Sequence, residues 1–308
     1  MKPKVTIFIP IYNSISYVSM LFDSILEQNI KSIELIIIDD GSLDCFDDFF
    51  NEKYRSILME KLYSVTYLKQ SNKGQAYSLN RALKLVNGEY FTWIDSDDWL
   101  EPESIVKKLD FLESNPEYGM VRTDGFIVEQ ATGNKKLYSS YIKCHNELIF
   151  DDLILENNIY FCPIGYMVRT SSLFSVIPDK NIYISRGGQN WQVLLPIANK
   201  FKCGYINKPL FNYLVRGNSH SRTDINILSN LIEKYNEHHK IIRETLLKIG
   251  EYKKYEKILD KKYDNIKISV AFKCKKDLSL RDNSIKLSNL SFKSLFKLVL
   301  LKTLYKIK

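Results

Sequence analysis

The sequence predicts an α/β fold: a mostly parallel central sheet flanked by helices, with a helical extension towards the C-terminal end. Three observations carry this expectation. Residues 4–10 and 33–38 are near-continuous apolar runs, the kind that lie buried on both faces of a sheet covered by helices. Between them Val18, Leu21, Phe22, Ile25 and Leu26 recur at helical spacing, so strand, helix and strand make a parallel pair with a right-handed crossover. From about residue 226 the pattern turns helical and heavily charged.

Taken in order, the first strand stops at Pro10, and Tyr12, Asn13 and Ser14 form the loop after it, with Ser14 or Ser16 available to cap the first helix. The second strand ends in Asp39-Asp40-Gly41-Ser42. A third strand is expected over 65–68. Asn72-Lys73-Gly74 then opens a helix with Ala76, Leu79, Leu83 and Val86 on one face. Asn87-Gly88 is turn chemistry, and residues 90–94 are aromatic or β-branched, which suits a buried strand. Ile105, Leu109 and Leu112 mark a helix that stops near Asn115-Pro116. Residues 120–128 read as a strand, with a hairpin turn at 131–134, and the less regular alternation from here on predicts mixed or antiparallel strands. Ser185-Arg186-Gly187-Gly188 is a loop leading into a helix at Gln189. Residues 205–215 read as a strand broken at Pro209, followed by the polar loop 216–221.

Composition bounds the function. A chain of 308 residues with 45% hydrophobic residues has room for one large domain or two small ones with a sizeable core. Lys and Arg number 44 against 36 Asp and Glu, a net charge of +8. That excess gathers near the C-terminal end rather than in an aromatic-lined groove, which argues against nucleic acid as a partner. Cys45, Cys144, Cys162, Cys203 and Cys274 are odd in number, scattered and never spaced Cys-x-x-Cys, so neither a zinc site nor a disulfide framework is expected. Reduced thiols, no secretory h-region and no apolar run of about 18 residues give a cytoplasmic expectation without a transmembrane helix. Oligomeric state leaves no mark in the sequence.

The chemistry concentrates at Asp95-Ser96-Asp97-Asp98. Three carboxylates in four residues raise one another's cost of ionising, so a positive group is expected among them, and a divalent cation on hard oxygen ligands suits the site. The alternative is an acidic loop that caps the next helix, with Pro102 in its first turn. In open α/β sheets ligands bind beyond the carboxyl ends of the strands, so the residues after Ile9, Ile38 and Ile94 are expected to share one crevice.

The order Pro10-Ile11-Tyr12-Asn13, Asp39-Asp40-Gly41-Ser42, Asn72-Lys73-Gly74 with Asn80-Arg81-Ala82, then Asp95-Ser96-Asp97-Asp98 resembles a family 2 glycosyltransferase over roughly the first 220 residues. The resemblance implies a Rossmann-like GT-A fold, with a transferase domain over 1–222 and a helical extension over 223–308. It implies that Pro10, Ile11 and Tyr12 line a nucleoside pocket and that Asp40 accepts a hydrogen bond from the base, favouring uracil. Asn72 and Gly74 would border the nucleotide, with Ser96 beside it. Asp95 would contact ribose or metal-bound water, and Asp97 would ligate Mg²⁺ or Mn²⁺. Asp98 is expected to cap the following helix. Asn80 and Arg81 are expected either to be plain helix surface or to serve the nucleotide. The implied activity is metal-dependent, inverting transfer of a sugar from a nucleotide diphosphate donor to a saccharide or lipid-linked saccharide, in cell-surface polysaccharide synthesis.

One position departs from the family pattern. The carboxylate that takes the acceptor proton usually belongs to a Glu-Asp pair at a helix start, and here that place reads Gln189-Asn190. An amide accepts no proton at neutral pH. Asp124, Asp179 or His220 is then the candidate base, His220 in a polar loop able to close over the diphosphate with Arg216. The other readings are that the metal-bound diphosphate takes the proton, or that the protein binds a nucleotide sugar without transferring it. Gln189 and Asn190 are left to orient an acceptor hydroxyl, and Trp191 to fill core or carry the acceptor. Without a Gln-x-x-Arg-Trp motif, single addition is expected rather than polymerisation. In residues 291–308 lysines alternate with large apolar residues and no acid occurs, a pattern that suits an anionic membrane surface.

Overall fold

The computed structural model describes residues 2–142, 145–216, 228–273 and 286–305. The chain divides into two compact units, residues 1–216 and 217–308. The first is built on β1 (Val5–Ile11), α1 (Ile15–Leu26), β2 (Ile33–Asp39), α2 (Phe46–Lys53), α3 (Arg55–Lys61), β3 (Ser64–Lys69), α4 (Gln75–Leu83) and β4 (Tyr90–Trp93). It continues through β5 (Trp99–Leu100), α5 (Ser104–Ser114), β6 (Tyr118–Glu129), β7 (Lys135–Leu137), α6 (Phe150–Leu155), β8 (Tyr166–Arg169), α7 (Thr170–Val176), α8 (Gln189–Lys200) and β9 (Lys202–Val215).

One sheet runs β3-β2-β1-β4-β8-β6-β9-β5, with β7 paired to β6. The half β3-β2-β1-β4 is parallel. Its apolar strands β1 and β2 are buried at every residue, as a sheet covered on both faces requires. The other half is mixed: β8 is antiparallel to β4 and β6, and β9 is parallel to β6. A buried polar knot sets β4 beside β1. Glu34 accepts from Thr6 Oγ1 (2.5 Å) and from the Asn87 backbone and side-chain amides (2.9 and 2.7 Å). Gly88 N–H in turn donates to Thr6 Oγ1 at 2.9 Å, and a Cβ at Gly88 would meet Thr6 N at 2.5 Å, so only glycine lets the turn approach β1 this closely.

Several expectations change in the structure. β9 is continuous through Pro209, and the expected break is instead a register shift against Asp124 of β6, because an irregular pairing absorbs the missing N–H without ending the strand. The helical segments α2, α3, α6 and α7 and the four-residue strand β8 are additions to the elements expected from sequence. Cys45, Cys162 and Cys203 are free thiols among the described residues.

The second unit holds α9 (Leu228–Lys248), α10 (Tyr252–Lys273) and α11 (Phe292–Tyr305). Gly250, at φ +77°, divides α9 from α10 within what reads in sequence as one helical stretch. Ile268, Ala271, Leu290 and Leu298 form its buried cluster, with Leu228, Ile232 and Phe272 packed against it. Among the described residues no helix is long and apolar enough to cross a membrane.

Candidate active site

The parallel register puts the ends of β1, β2, β3 and β4 on one edge of the sheet, since Ile11 pairs with Asp39, Asp39 with Lys69, and Phe8 with Trp93. The four loops that follow are joined in a closed ring of hydrogen bonds. Asn13 N–H donates to Ser42 Oγ (3.0 Å) and Leu43 N–H to Asn13 Oδ1 (2.8 Å), tying the first loop to the second. Gly74 N–H donates to Asp40 Oδ2 (2.7 Å), tying the second to the third. Gln75 Nε2 donates to Asp95 Oδ1 (3.3 Å), tying the third to the fourth. Ser14 and Ser96 share a 2.7 Å hydroxyl bond that returns to the first. Ser14 therefore does not cap α1 with its side chain.

Within this ring Asp40 is buried and bonded on both oxygens, accepting from Gln70 Nε2 (2.6 Å) and Lys73 N–H (2.8 Å) besides Gly74. It moulds loop 72–74, and Gly74 takes φ +90° to present its N–H. Asp39, fully buried, caps the adjoining turn through Ser42 N–H (2.8 Å). Arg81 holds Gln70 from behind (2.7 Å). Asn80 is buried and clamps Ile182, donating to its carbonyl (2.9 Å) and accepting from its N–H (2.7 Å). Neither residue is plain helix surface: both brace loops at the crevice. Pro10 and Ile11 are buried within β1, whereas Tyr12 and Asn72 are exposed at the rim.

The carboxylates diverge in role. Asp97 Oδ2 pairs with the Arg216 guanidinium at 2.7 Å, and Arg216 also lies over the Tyr17 ring, 4.7 Å from its centroid. Burial, reinforced by the charge of Asp97, pushes the Asp95 carboxyl up to about 7. Asp98 does not cap the next helix. It is buried, its Oδ1 accepts from Leu214 N–H of β9 (3.0 Å), and α5 starts instead after Glu103 without a side-chain cap. The reason is direction: the turn after β4 aims Asp98 inwards against β9. Burial raises its carboxyl well above the usual range, with Asp97 and Asp95 adding to the effect, and its Oδ2 is a buried oxygen with no hydrogen-bond partner.

These carboxylates bear on a divalent cation. One arginine faces three of them, and burial holds Asp95 and Asp98 towards their protonated forms, so a further positive charge beside them would favour their ionisation. Among the described residues no three His, Cys, Asp or Glu side chains form a ready cage. A cation bound through one or two carboxylates, with phosphate oxygens completing its shell, fits Asp95 and Asp97.

On the other side of the crevice, Gly188 at φ +72° opens α8. Gln189 Nε2 donates to Gln75 Oε1 (2.6 Å), extending the chain that reaches Asp95. Asn190 is held at both ends of its amide: Oδ1 accepts from the Trp93 indole N–H (2.7 Å) and Nδ2 donates to the Phe161 carbonyl (2.6 Å). Trp191 is buried against Phe161, with ring centroids 4.9 Å apart, and so fills core. Asp124 is buried, its Oδ1 accepting from Gly125 N–H (2.9 Å) and Ser139 N–H (3.0 Å), which fixes it between β6 and the turn after β7. Asp179 is exposed in the loop before α8. His220 lies outside the described residues. Sequence reasoning passed over Gln75 and the pairing of Arg216 with Asp97. The position of Gln75 directly after the Asn-Lys-Gly run is a local signal, whereas nothing local announces a partner 119 residues from Asp97.

Fold and crevice together describe an α/β protein with a carboxylate-lined site at the ends of its parallel strands. The chain belongs to family 2 of the glycosyltransferases: the family model "Glycosyl transferase family 2" matches residues 6–181. Relatives include an uncharacterised glycosyltransferase of Rickettsia felis, 28% identical over 228 residues, covering 72% of this chain and 35% of that protein. Chondroitin synthase of Escherichia coli is 27% identical over 267 residues, covering 82% of this chain and 34% of that protein. The chain thus spans about a third of the length of these relatives. Among solved structures, S. aureus TarS 1–349 in complex with UDP-GlcNAc superposes with a TM-score of 0.59 at 16% identity, over 97% of this chain and 89% of that one. Mannosyltransferase PcManGT of Pyrobaculum calidifontis, in complex with GDP-Man and Mn²⁺, gives a TM-score of 0.56 at 14% identity, over 99% and 82%. These likenesses establish the GT-A fold.

Proposed function

We propose that this protein transfers a single sugar from a nucleotide diphosphate donor, a UDP-sugar by preference, to a saccharide or lipid-linked saccharide in cell-surface polysaccharide synthesis, with inversion and with help from Mg²⁺ or Mn²⁺. The observation that carries the reading is the closed ring of hydrogen bonds among the four loops. It holds the four loops together at the carboxyl edge of the parallel strands, where ligands bind in open α/β sheets and a nucleotide with its diphosphate would lie. Residues 1–222 form the transferase region and 223–308 an extension that meets the inner face of the cell membrane. Tyr12 and Asn72 border the nucleoside, and Asp40 shapes the loop that holds it. Asp97 and Asp95 hold the cation, which supplies charge compensation for the departing diphosphate when bound. Arg216, paired with Asp97 at 2.7 Å, would face phosphate oxygens if a cation took over Asp97.

One observation favours a second reading. Asn190 stands where the family's base is expected, and both ends of its amide are engaged, so it neither takes a proton nor turns towards an acceptor. A protein that binds a nucleotide sugar without transferring it has the same donor side. Titration calorimetry with UDP, GDP and dTDP, with and without Mn²⁺, on wild type and Asp97→Asn tests the donor site. Metal-dependent binding of UDP, lost in the variant, is expected; no nucleotide binding under any condition refutes it. Release of UDP from UDP-sugars then separates the two readings, because a binding protein gives none.

A further inference from the structure

The second unit offers a surface that gives the proposed membrane contact of the extension a definite place. Helix α11 lies beyond the residues matched by the family model. It is anchored from below: Leu298 and Ser294 are buried, and Lys297 Nζ donates to Ser269 Oγ of α10 at 3.1 Å. The opposite side is apolar and open. Phe292 is 88% exposed, Phe296 58%, Val299 60% and Leu295 38%. Spacings of three and four residues put these side chains on one stripe of the helix. Two exposed phenylalanines within one helical turn of each other exceed the scattered apolar residues of an ordinary surface.

Charge identifies what covers the stripe. From residue 283 to 308 the sequence has six lysines, 286, 293, 297, 302, 306 and 308, and no aspartate or glutamate. Lys293, next to Phe292, is exposed, and Lys286, with a side-chain exposure of 71%, lies 3.9 Å from Asp260. An apolar stripe on a segment that carries lysines and no acid is complementary to an anionic bilayer, with aromatic and aliphatic side chains below the headgroups and ammonium groups among the phosphates. A self-associating or protein-binding helix would be expected to mix signs along its border. At 14 residues α11 is about 21 Å long, too short to span the hydrocarbon layer of about 30 Å, so it lies along the interface.

We propose that the stripe Phe292–Leu295–Phe296–Val299 of α11 is an interfacial membrane anchor that docks the protein on anionic phospholipid. The docking rests on the proposed function only for its purpose, bringing the transferase to a lipid-linked acceptor; the binding itself requires no sugar chemistry.

Flotation of the full chain with vesicles of phosphatidylcholine alone, and with one third phosphatidylglycerol, tests the proposal. Flotation with the anionic vesicles, weakened by raised salt and far weaker on neutral vesicles, is expected. Each phenylalanine buries enough apolar surface for on the order of a tenfold change in partition. Phe292→Ser/Phe296→Ser should therefore lose binding by tenfold or more, and Lys293→Glu should weaken the anionic preference. Because these side chains are exposed, the variants should keep the wild-type unfolding midpoint, which checks that folding is intact. Flotation equal on both vesicle types, no flotation at all, or undiminished flotation of the serine variant overturns the proposal. So does concentration-dependent dimerisation in sedimentation that the serine variant abolishes, since the stripe would then belong to a second copy. UDP titration on the same preparation keeps the two failures apart: UDP binding without flotation defeats the anchor alone, and flotation without UDP binding defeats the transferase reading alone.

Discussion

Asn190→Asp restores the carboxylate that the family pattern leads one to expect, and the structure predicts that the restoration does harm. The wild-type amide uses both its functions, accepting from Trp93 Nε1 at 2.7 Å and donating to the Phe161 carbonyl at 2.6 Å. A carboxylate keeps the first bond and strengthens it by roughly 1 kcal/mol through its charge. It loses the second, worth about 1 kcal/mol, and sets two oxygens against each other at a carbonyl left unpaired, a cost of about 1–3 kcal/mol. The net expectation is a loss of about 2 kcal/mol. Protonation would give the donor back, so the folded state favours the protonated acid and raises its pKa above the unfolded value of about 3.9. The sign follows: relative stability is fully present below the unfolded pKa and is lost as pH rises through the folded one, so the variant should be weaker at pH 8 than at pH 5. Urea unfolding of both proteins at the two pH values, followed by tryptophan fluorescence, measures this. Equal stability of variant and wild type at pH 8, or a rise in sugar transfer on restoring the acid, would refute the view that residue 190 is a structural amide.

Two further outcomes follow from the same packing. Asp40→Ala removes the acceptor of Gln70, Lys73 N–H and Gly74 N–H together. Charged hydrogen bonds of about 1.5–3 kcal/mol each, partly offset by loop relaxation, give an expected loss of about 2–4 kcal/mol, with faster amide exchange at Lys73 and Gly74 as its local signature. Lys108 is fully buried on α5, donates to the Ile164 carbonyl at 2.7 Å, and is pushed down to about 7 by burial. Between about pH 7 and its unfolded pKa near 10.4 the unfolded chain binds the extra proton, so this group makes stability rise with pH, by at most about 1.4 kcal/mol per unit. Lys108→Met should flatten that slope in thermal unfolding across pH 7–10; an unchanged slope would mean that Lys108 stays charged inside.

The sequence by itself determined the elements with strong periodicity and their order. Residues 4–10 and 33–38 are near-continuous apolar runs, as suits parallel strands covered on both faces, and the crossover through Val18 to Leu26 then had one handedness open to it. Those two facts brought the loops after β1, β2 and β4 to one edge and so made the crevice legible. What only the tertiary structure decided are matters of direction and partnership. Strand β8 is four residues long and finds its place through β4 and β6, which sequence spacing does not encode. Asp98 and Asp97 are neighbours with similar local surroundings, yet one turns inwards to Leu214 and the other outwards to Arg216. Asn80 looks like a surface residue until Ile182, 102 positions on, folds back across it. The physical reason is common to all three. A side chain's burial and hydrogen bonds depend on which distant segment arrives beside it, whereas periodicity and turn chemistry record only what each segment does alone.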